Sequence, residues 1–370
     1  MRSRYRLGRH LSVFMVLLIT LFVVSLITLS PVSLAKETKE KDKKKSGRSQ
    51  PVLWRDPGNI RQRNLLYGPG SARLAPVPPF KFLKEDKSGV SPKFEVSDAR
   101  NVKWVVKLGE EAQSETVATR LVWAPGYFAE EAYYLPRVQI SNLPRLSRGR
   151  KFVEGRSFVR GARFEPRRSE VERGKRWDWI KNPFARTREL NGLKVIMILL
   201  NNFDARKDNN VILHDSQTGE ARYLVSDLGA TLGRAGGLGG KRTKNNLRDF
   251  LSTRFVTGVE DNGTVEFDYD TRPTKLGMLS IFYPPYYFGE VRKEKSMRGI
   301  PIEHARWIGS LLSQLSDEQL RDSFRAAHYD RATTEAYVRS LRQRINQLRQ
   351  LDLAIASPEF RHVTALTARP

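Results

Sequence analysis

The residue types best suited to chemistry fall in two stretches. Asp204 is followed five residues on by Asn209, within Asn202-Phe203-Asp204-Ala205-Arg206-Lys207-Asp208-Asn209, and eighteen residues after Asn209 comes Asp227, in Ser226-Asp227-Leu228-Gly229. Upstream, Lys107 closes Trp104-Val105-Val106-Lys107, and Glu115 follows eight residues later. Carboxylate and amide oxygens with a strand lysine can hold cations and anions; they do not supply thiol or imidazole chemistry. The chain has no cysteine, which excludes disulfide frameworks, cysteine nucleophiles and thiolate zinc sites. Its five histidines are scattered, and neither Glu303-His304 nor His214-Asp215 has metal-ligand spacing to a nearby partner. No Ser-His or carboxylate-pair motif supports a hydrolase. Each short motif is common by itself, so the information lies in their order.

These residues need elements to hold them in place. Alternation predicts a strand at Lys103–Leu108 with Val105 and Lys107 on one face and Trp104, Val106 and Leu108 on the other. It pairs in a hairpin with Lys93-Phe94-Glu95-Val96 across a turn at 97–101. Gly109 ends the strand, and 110–123 reads as a helix with Val117, Ala118, Leu121 and Val122 inward. Glu115 precedes Ala118 and Val122 by one and two turns, on the core side. It is the expected partner of Lys107, with Glu111 one turn earlier as the alternative. Strands are predicted at 133–140 and 157–164. Thr187 caps an apolar helix over 188–200 that leads into the Asp204 loop. Two short strands, 211–214 and 222–225, surround a turn at 216–219 and lead to Asp227. Trp177-Asp178-Trp179 reads as a packed aromatic anchor. Near the end, Ser316-Asp317-Glu318-Gln319 has capping-box spacing, and 337–351 continues at helical period.

Taken in order, the chain offers a helix, a loop with D-x-x-x-x-N, a strand, a turn, a strand and D-L-G. This resembles the catalytic core of protein-kinase-like phosphotransferases, where the loop is H-R-D-L-x-x-x-N and the later triplet is D-F-G. The resemblance implies an α+β, two-lobed fold with a small β-rich N-lobe and a helical C-lobe. It implies a nucleotide partner, ATP, with Mg²⁺, and phosphate transfer to a hydroxyl acceptor. By the same resemblance Asp204 would orient or deprotonate the acceptor, and Arg206 would steady the transferred phosphate. Asn209 and Asp227 would be the Mg²⁺ ligands, since hard oxygens suit that ion. Lys107 would reach the phosphates and pair with Glu115, while Val105 would roof the adenine.

The chain departs from the family pattern at several points. Asn202 stands where kinases usually have His, and eight residues from lysine to glutamate is far shorter than in standard kinases. Short N-lobes are similar to those of atypical members, the HipA-type, spore-coat CotH-type and lipid-kinase branches. Lys87-Ser88-Gly89-Val90-Ser91, before the first hairpin strand, is no G-x-G-x-x-G. The glycine-rich run from Gly233 to Lys241 occupies the activation-segment position. It is not a P-loop, because Ala235 replaces the first glycine, Arg242 follows the lysine and no strand leads in. The chain also looks like a group of exported bacterial proteins with a segment similar to Lys84-Glu85-Asp86 through Trp123-Ala124, a resemblance that adds no chemistry.

Of the 370 residues, 65 are Lys or Arg against 40 Asp or Glu, a net charge of +25 that invites a nucleic-acid reading. The N-terminus argues otherwise. Arg2, Arg4, Arg6 and Arg9 precede an uncharged run from Leu11 to Leu29, and Ser33-Leu34-Ala35 offers small residues at the recognition positions. Residues 1–35 read as a signal peptide or N-terminal membrane anchor, and either places the remainder outside the cytoplasm. There an anionic envelope component or lipid headgroup is a better partner than nucleic acid. The stretch 145–176, with twelve Lys or Arg against four Glu, reads either as an anion-docking surface or as a solvated loop. The expected organisation is a charged linker at 36–50, an N-lobe-like part at 51–140, a C-lobe-like part at 141–350 and a tail at 351–370. The alternative function is a catalytically inactive, pseudokinase-like basic binding module.

Overall fold

Alternating and helical hydrophobic periods along this chain produce an α+β fold. In a computed structural model the described residues are 49–89, 91–169, 171–236, 241–271 and 284–351. The export segment, all but the last two residues of the 36–50 linker, 237–240 of the glycine-rich run and nearly all of the tail lie outside them. Among the described residues no helix is long and apolar enough to cross a membrane.

The elements follow in order: β1 (Gln50–Val52), β2 (Phe80–Asp86), β3 (Lys93–Ser97), β4 (Lys103–Leu108), α1 (Glu111–Trp123), β5 (Tyr133–Ser141), β6 (Val153–Glu154), β7 (Phe158–Pro166) and β8 (Val171–Arg173). Then come α2 (Arg188–Leu199), β9 (Asn210–Asp215), β10 (Glu220–Val225), α3 (Leu247–Leu251), β11 (Val256–Val259) and β12 (Thr264–Phe267). The C-terminal part contains α4 (Pro284–Ser296), β13 (Ile300–Pro301), α5 (Ile302–Leu312), α6 (Asp317–Arg325) and α7 (Arg331–Arg349).

One sheet runs β4-β3-β2-β5-β7-β6, and β7 also pairs with β4, so five strands close on themselves. The predicted alternation holds. Trp104, Val106 and Leu108 of β4 enter the closed interior with Phe94, Val96, Ala162 and Phe164, leaving Val105 and Lys107 on the outer face. The sheet continues through β7 to Pro166, past residue 140, because β7 fills the gap between β5 and β4.

A second core gathers Val117, Ala118, Leu121 and Val122 of α1 with the apolar faces of α2, α5, α6 and α7. Thr187 caps α2 by accepting from the Leu190 N–H, and Ser316 and Gln319 complete the predicted capping box on α6. Trp177 and Trp179 are buried in this core, and the Trp177 indole donates to the Leu224 carbonyl. A further sheet, β1-β10-β9-β8, carries Asn209 and Asp227 at the ends of its strands.

Candidate active site

The connection from β4 to α1 sets the geometry around Lys107. Only Gly109 and Glu110 lie between the two elements, and Gly109 takes φ +116°, a conformation that L side chains rarely adopt. The helix therefore starts beside the end of its own strand, and its first two turns aim Glu111 and Glu115 back at Lys107. Lys107 Nζ stands 3.0 Å from Glu115 Oε2, 3.0 Å from Glu111 Oε2 and 3.1 Å from Asp227 Oδ1. Both the expected partner and the alternative are bound at once. Glu115 is 1% exposed, and its other oxygen takes Arg163 Nη2 at 3.0 Å. Burial disfavours a charged lysine here, but Glu115, Asp227 and Glu111 outweigh it and raise the Lys107 ammonium well above its ordinary value. Burial pushes the Glu115 carboxyl up, against the pull of Arg163 and Lys107.

The Asp204 loop is fixed by its own backbone. The Asn202 carbonyl accepts from the buried Tyr269 hydroxyl, and the Phe203 carbonyl accepts from Lys293 Nζ at 2.9 Å. Asn202 Oδ1 accepts from the Asp204 N–H at 2.8 Å, so the Asn202 amide holds the loop from within. Asn209 Nδ2 donates to the Asp204 carbonyl and to Asp204 Oδ2 at 2.7 and 2.9 Å, and Arg206 Nε lies 2.6 Å from Asp204 Oδ1. The Asn209 carbonyl in turn accepts from the Ser226 N–H at 2.8 Å, which ties the loop to the segment carrying Asp227. Gly229 approaches α1 so closely that a Cβ there would sit 2.7 Å from Glu111 Cβ.

All seven residues singled out from the sequence, Val105, Lys107, Glu115, Asp204, Arg206, Asn209 and Asp227, line one cavity of about 740 Å³. Among the described residues no group of three or more His, Cys, Asp or Glu is arranged to hold a metal. The donors present are fewer and harder. The Asp227 side chain is 45% exposed, and Asn209 spends its amide nitrogen on Asp204 while its oxygen accepts nothing among the described residues. One carboxylate and one amide oxygen make the kind of partial set with which Mg²⁺ is held when phosphates and water complete its shell, so the residues fit that ion.

Other cavity residues were not singled out as site residues. Ser91, in the loop between β2 and β3, donates to Glu111 Oε2 at 2.6 Å; Lys244, which does not line the cavity, donates to Glu111 Oε1 at 2.6 Å. Arg163 and Glu165 face the cavity beside Lys107 and Val105. Alternation within the predicted strand 157–164 turns Arg163 away from the core side of Ala162 and Phe164, but only the pairing of β7 with β4 brings it and Glu165 to the cavity. From the basic stretch, Arg163 is buried, Arg168 pairs with Glu131 at 2.7 Å and Arg176 with Asp208 at 2.7 Å.

No family model matches the chain, and no curated protein matches it. Among solved structures it is similar to the crystal structure of a Helicobacter pylori proinflammatory kinase, CtkA, at a TM-score of 0.40 and 13% identity, over 78% of this chain and 98% of that one.

Proposed function

We propose that this chain is a two-lobed, protein-kinase-like phosphotransferase that binds a nucleoside triphosphate, ATP in the simplest case, with Mg²⁺. The closed sheet with α1 would form the small lobe, and the helices from α2 onward the large one. The observation that carries this reading is the meeting of Lys107 with Glu115 and Asp227, at 3.0 and 3.1 Å, in a cavity shared with Asp204 and Asn209. Phosphoryl transfer asks a protein mainly for positioning and charge neutralisation, and these residues are of the types that supply both.

In this reading Lys107, aimed by Glu115, neutralises the nucleotide phosphates. The oxygen of an acceptor hydroxyl attacks the γ-phosphorus, and the bond from that phosphorus to the oxygen bridging the β-phosphate breaks. Nucleoside diphosphate leaves, and the hydroxyl proton passes to the Asp204 carboxylate. Arg206 beside Asp204 steadies the phosphate in flight. Mg²⁺ bound by Asn209 and Asp227 would supply further charge neutralisation on the phosphate oxygens. The export expected of residues 1–35 would place this chemistry outside the cytoplasmic membrane, facing hydroxyls or anionic headgroups of the envelope.

A catalytically silent binding module is the competing reading, and it draws on Asp204, both of whose oxygens are already engaged by Arg206 and Asn209. Incubation of the full chain with γ-labelled nucleotide and Mg²⁺ decides between them. Label transferred to protein, acceptor or water, and lost in Asp204→Asn with nucleotide binding retained, supports transfer. Nucleotide binding without any turnover supports the silent module.

A further inference from the structure

The cavity has a second end that phosphate transfer leaves unused. Across β4 and β7, Lys107 pairs with Arg163 and Val105 with Glu165. Two residues along the strand from Lys107, about 7 Å away, a carboxylate thus stands beside the valine expected to cover a base. Glu130, from the segment entering β5, reaches the same place. Arg163 Nη2 lies 3.1 Å from Glu165 Oε2, and Arg173 Nη1 lies 3.4 Å from Glu165 Oε1 and also bonds Glu130. These four residues line the cavity, and Val105 and Val211 line it with apolar surface. Arg163 is 4% exposed, yet its Nε and Nη1 have no hydrogen-bond partner among the described residues. Unmet buried N–H groups are a standing cost that a ligand acceptor or an ordered water would remove.

Purines differ on the edge such a surface would read. Guanine presents two adjacent donors, N1–H and N2–H, beside the O6 acceptor. Adenine presents one donor beside the bare N1 acceptor. A carboxylate can accept both guanine donors at once while a guanidinium donates to O6, whereas the adenine N1 lone pair would face negative charge. We propose that Glu165 and Glu130, with Arg173, read the base edge and select a guanine over an adenine nucleotide, a refinement that rests on the nucleotide reading above. The state of Glu130 fits this arrangement. Burial, and then the charge of Glu165, push its carboxyl up to about 8 against Arg173 and Arg163.

Equilibrium titration of the full chain with Mg-GTP and Mg-ATP tests the proposal. GTP binds tighter by about tenfold or more, as one good bidentate contact allows. Glu165→Gln lowers that ratio toward one. Because Glu165→Gln also loosens Arg163, Glu130→Gln, which resembles the protonated side chain, is the second variant and lowers the ratio with the fold intact. ATP bound as tightly as GTP, or a ratio unchanged in both variants, overturns the proposal alone. Binding of neither nucleotide overturns the nucleotide reading and this refinement together.

Discussion

Lys107 Nζ lies 3.1 Å from Asp227 Oδ1, although the two residues are 120 positions apart in the chain. The contact ties the closed sheet to the segment that follows β10. In the proposed function, a triphosphate would be gripped there from both sides.

Replacing that lysine should be costly twice over. Lys107→Ala removes the cation nearest the proposed phosphates and leaves Glu115 with Arg163 alone. Nucleotide affinity is expected to fall by tenfold or more, and stability by about 3 kcal/mol, the lower end for breaking a buried pair, because Arg163 remains. Urea unfolding and nucleotide titration measure the two losses separately.

Asp227→Asn should separate function from fold. Its side chain is 45% exposed and Lys107 keeps Glu111 and Glu115, so stability without ligand should fall by no more than about 1 kcal/mol. The parent should gain about 2.7 kcal/mol at a Mg-nucleotide concentration about one hundred times Kd, and the variant should gain little. Thermal unfolding with and without Mg-nucleotide checks both halves.

Glu111 gives the chain an acid-sensitive clasp. Burial opposes its charge, but Lys107, Lys244 and Ser91 outweigh burial and hold the carboxyl at about 2, against 4.5 when free. A depressed carboxylate stabilises the fold fully above its unfolded value and loses that contribution as pH falls from about 4.5 toward 2. The contribution is on the order of 3 kcal/mol. Glu111→Gln should lower stability at pH 7 and flatten its fall below pH 5, as read from urea midpoints across pH.

The Asp204 loop depends on a residue far from it in sequence. Tyr269→Phe removes the donor to the Asn202 carbonyl and leaves a buried acceptor unmet, at a cost of about 1–3 kcal/mol. Because Tyr269 is not among the residues lining the proposed nucleotide cavity, turnover should fall while KM for nucleotide stays near the parent value. Steady-state kinetics at saturating acceptor would show the split.

The parts of this site that local pattern specifies were legible in the sequence. Period-two alternation placed Val105 and Lys107 on one face, helical spacing turned Glu115 inward, and the Thr187 cap set the start of α2. What long-range pairing decides was not. Arg163 and Glu165 lie beside Lys107 and Val105 only because β7 closes the sheet onto β4, and the sequence showed them merely as members of a basic stretch. Strand β2 was missed because its inward and outward positions alternate weakly, in Phe-Lys-Phe-Leu-Lys-Glu-Asp. The joint use of Glu111 and Glu115 follows from the two-residue strand-to-helix connection, which spacing alone could not orient.

The most direct test is thermal unfolding of the full chain with Mg²⁺ and a nucleoside triphosphate, ATP and GTP in parallel, for the parent and Asp227→Asn. A rise in the parent's midpoint with at least one nucleotide, largely lost in the variant, is the predicted result. An unchanged midpoint in the parent with both nucleotides would contradict a nucleotide site between Lys107 and Asp227.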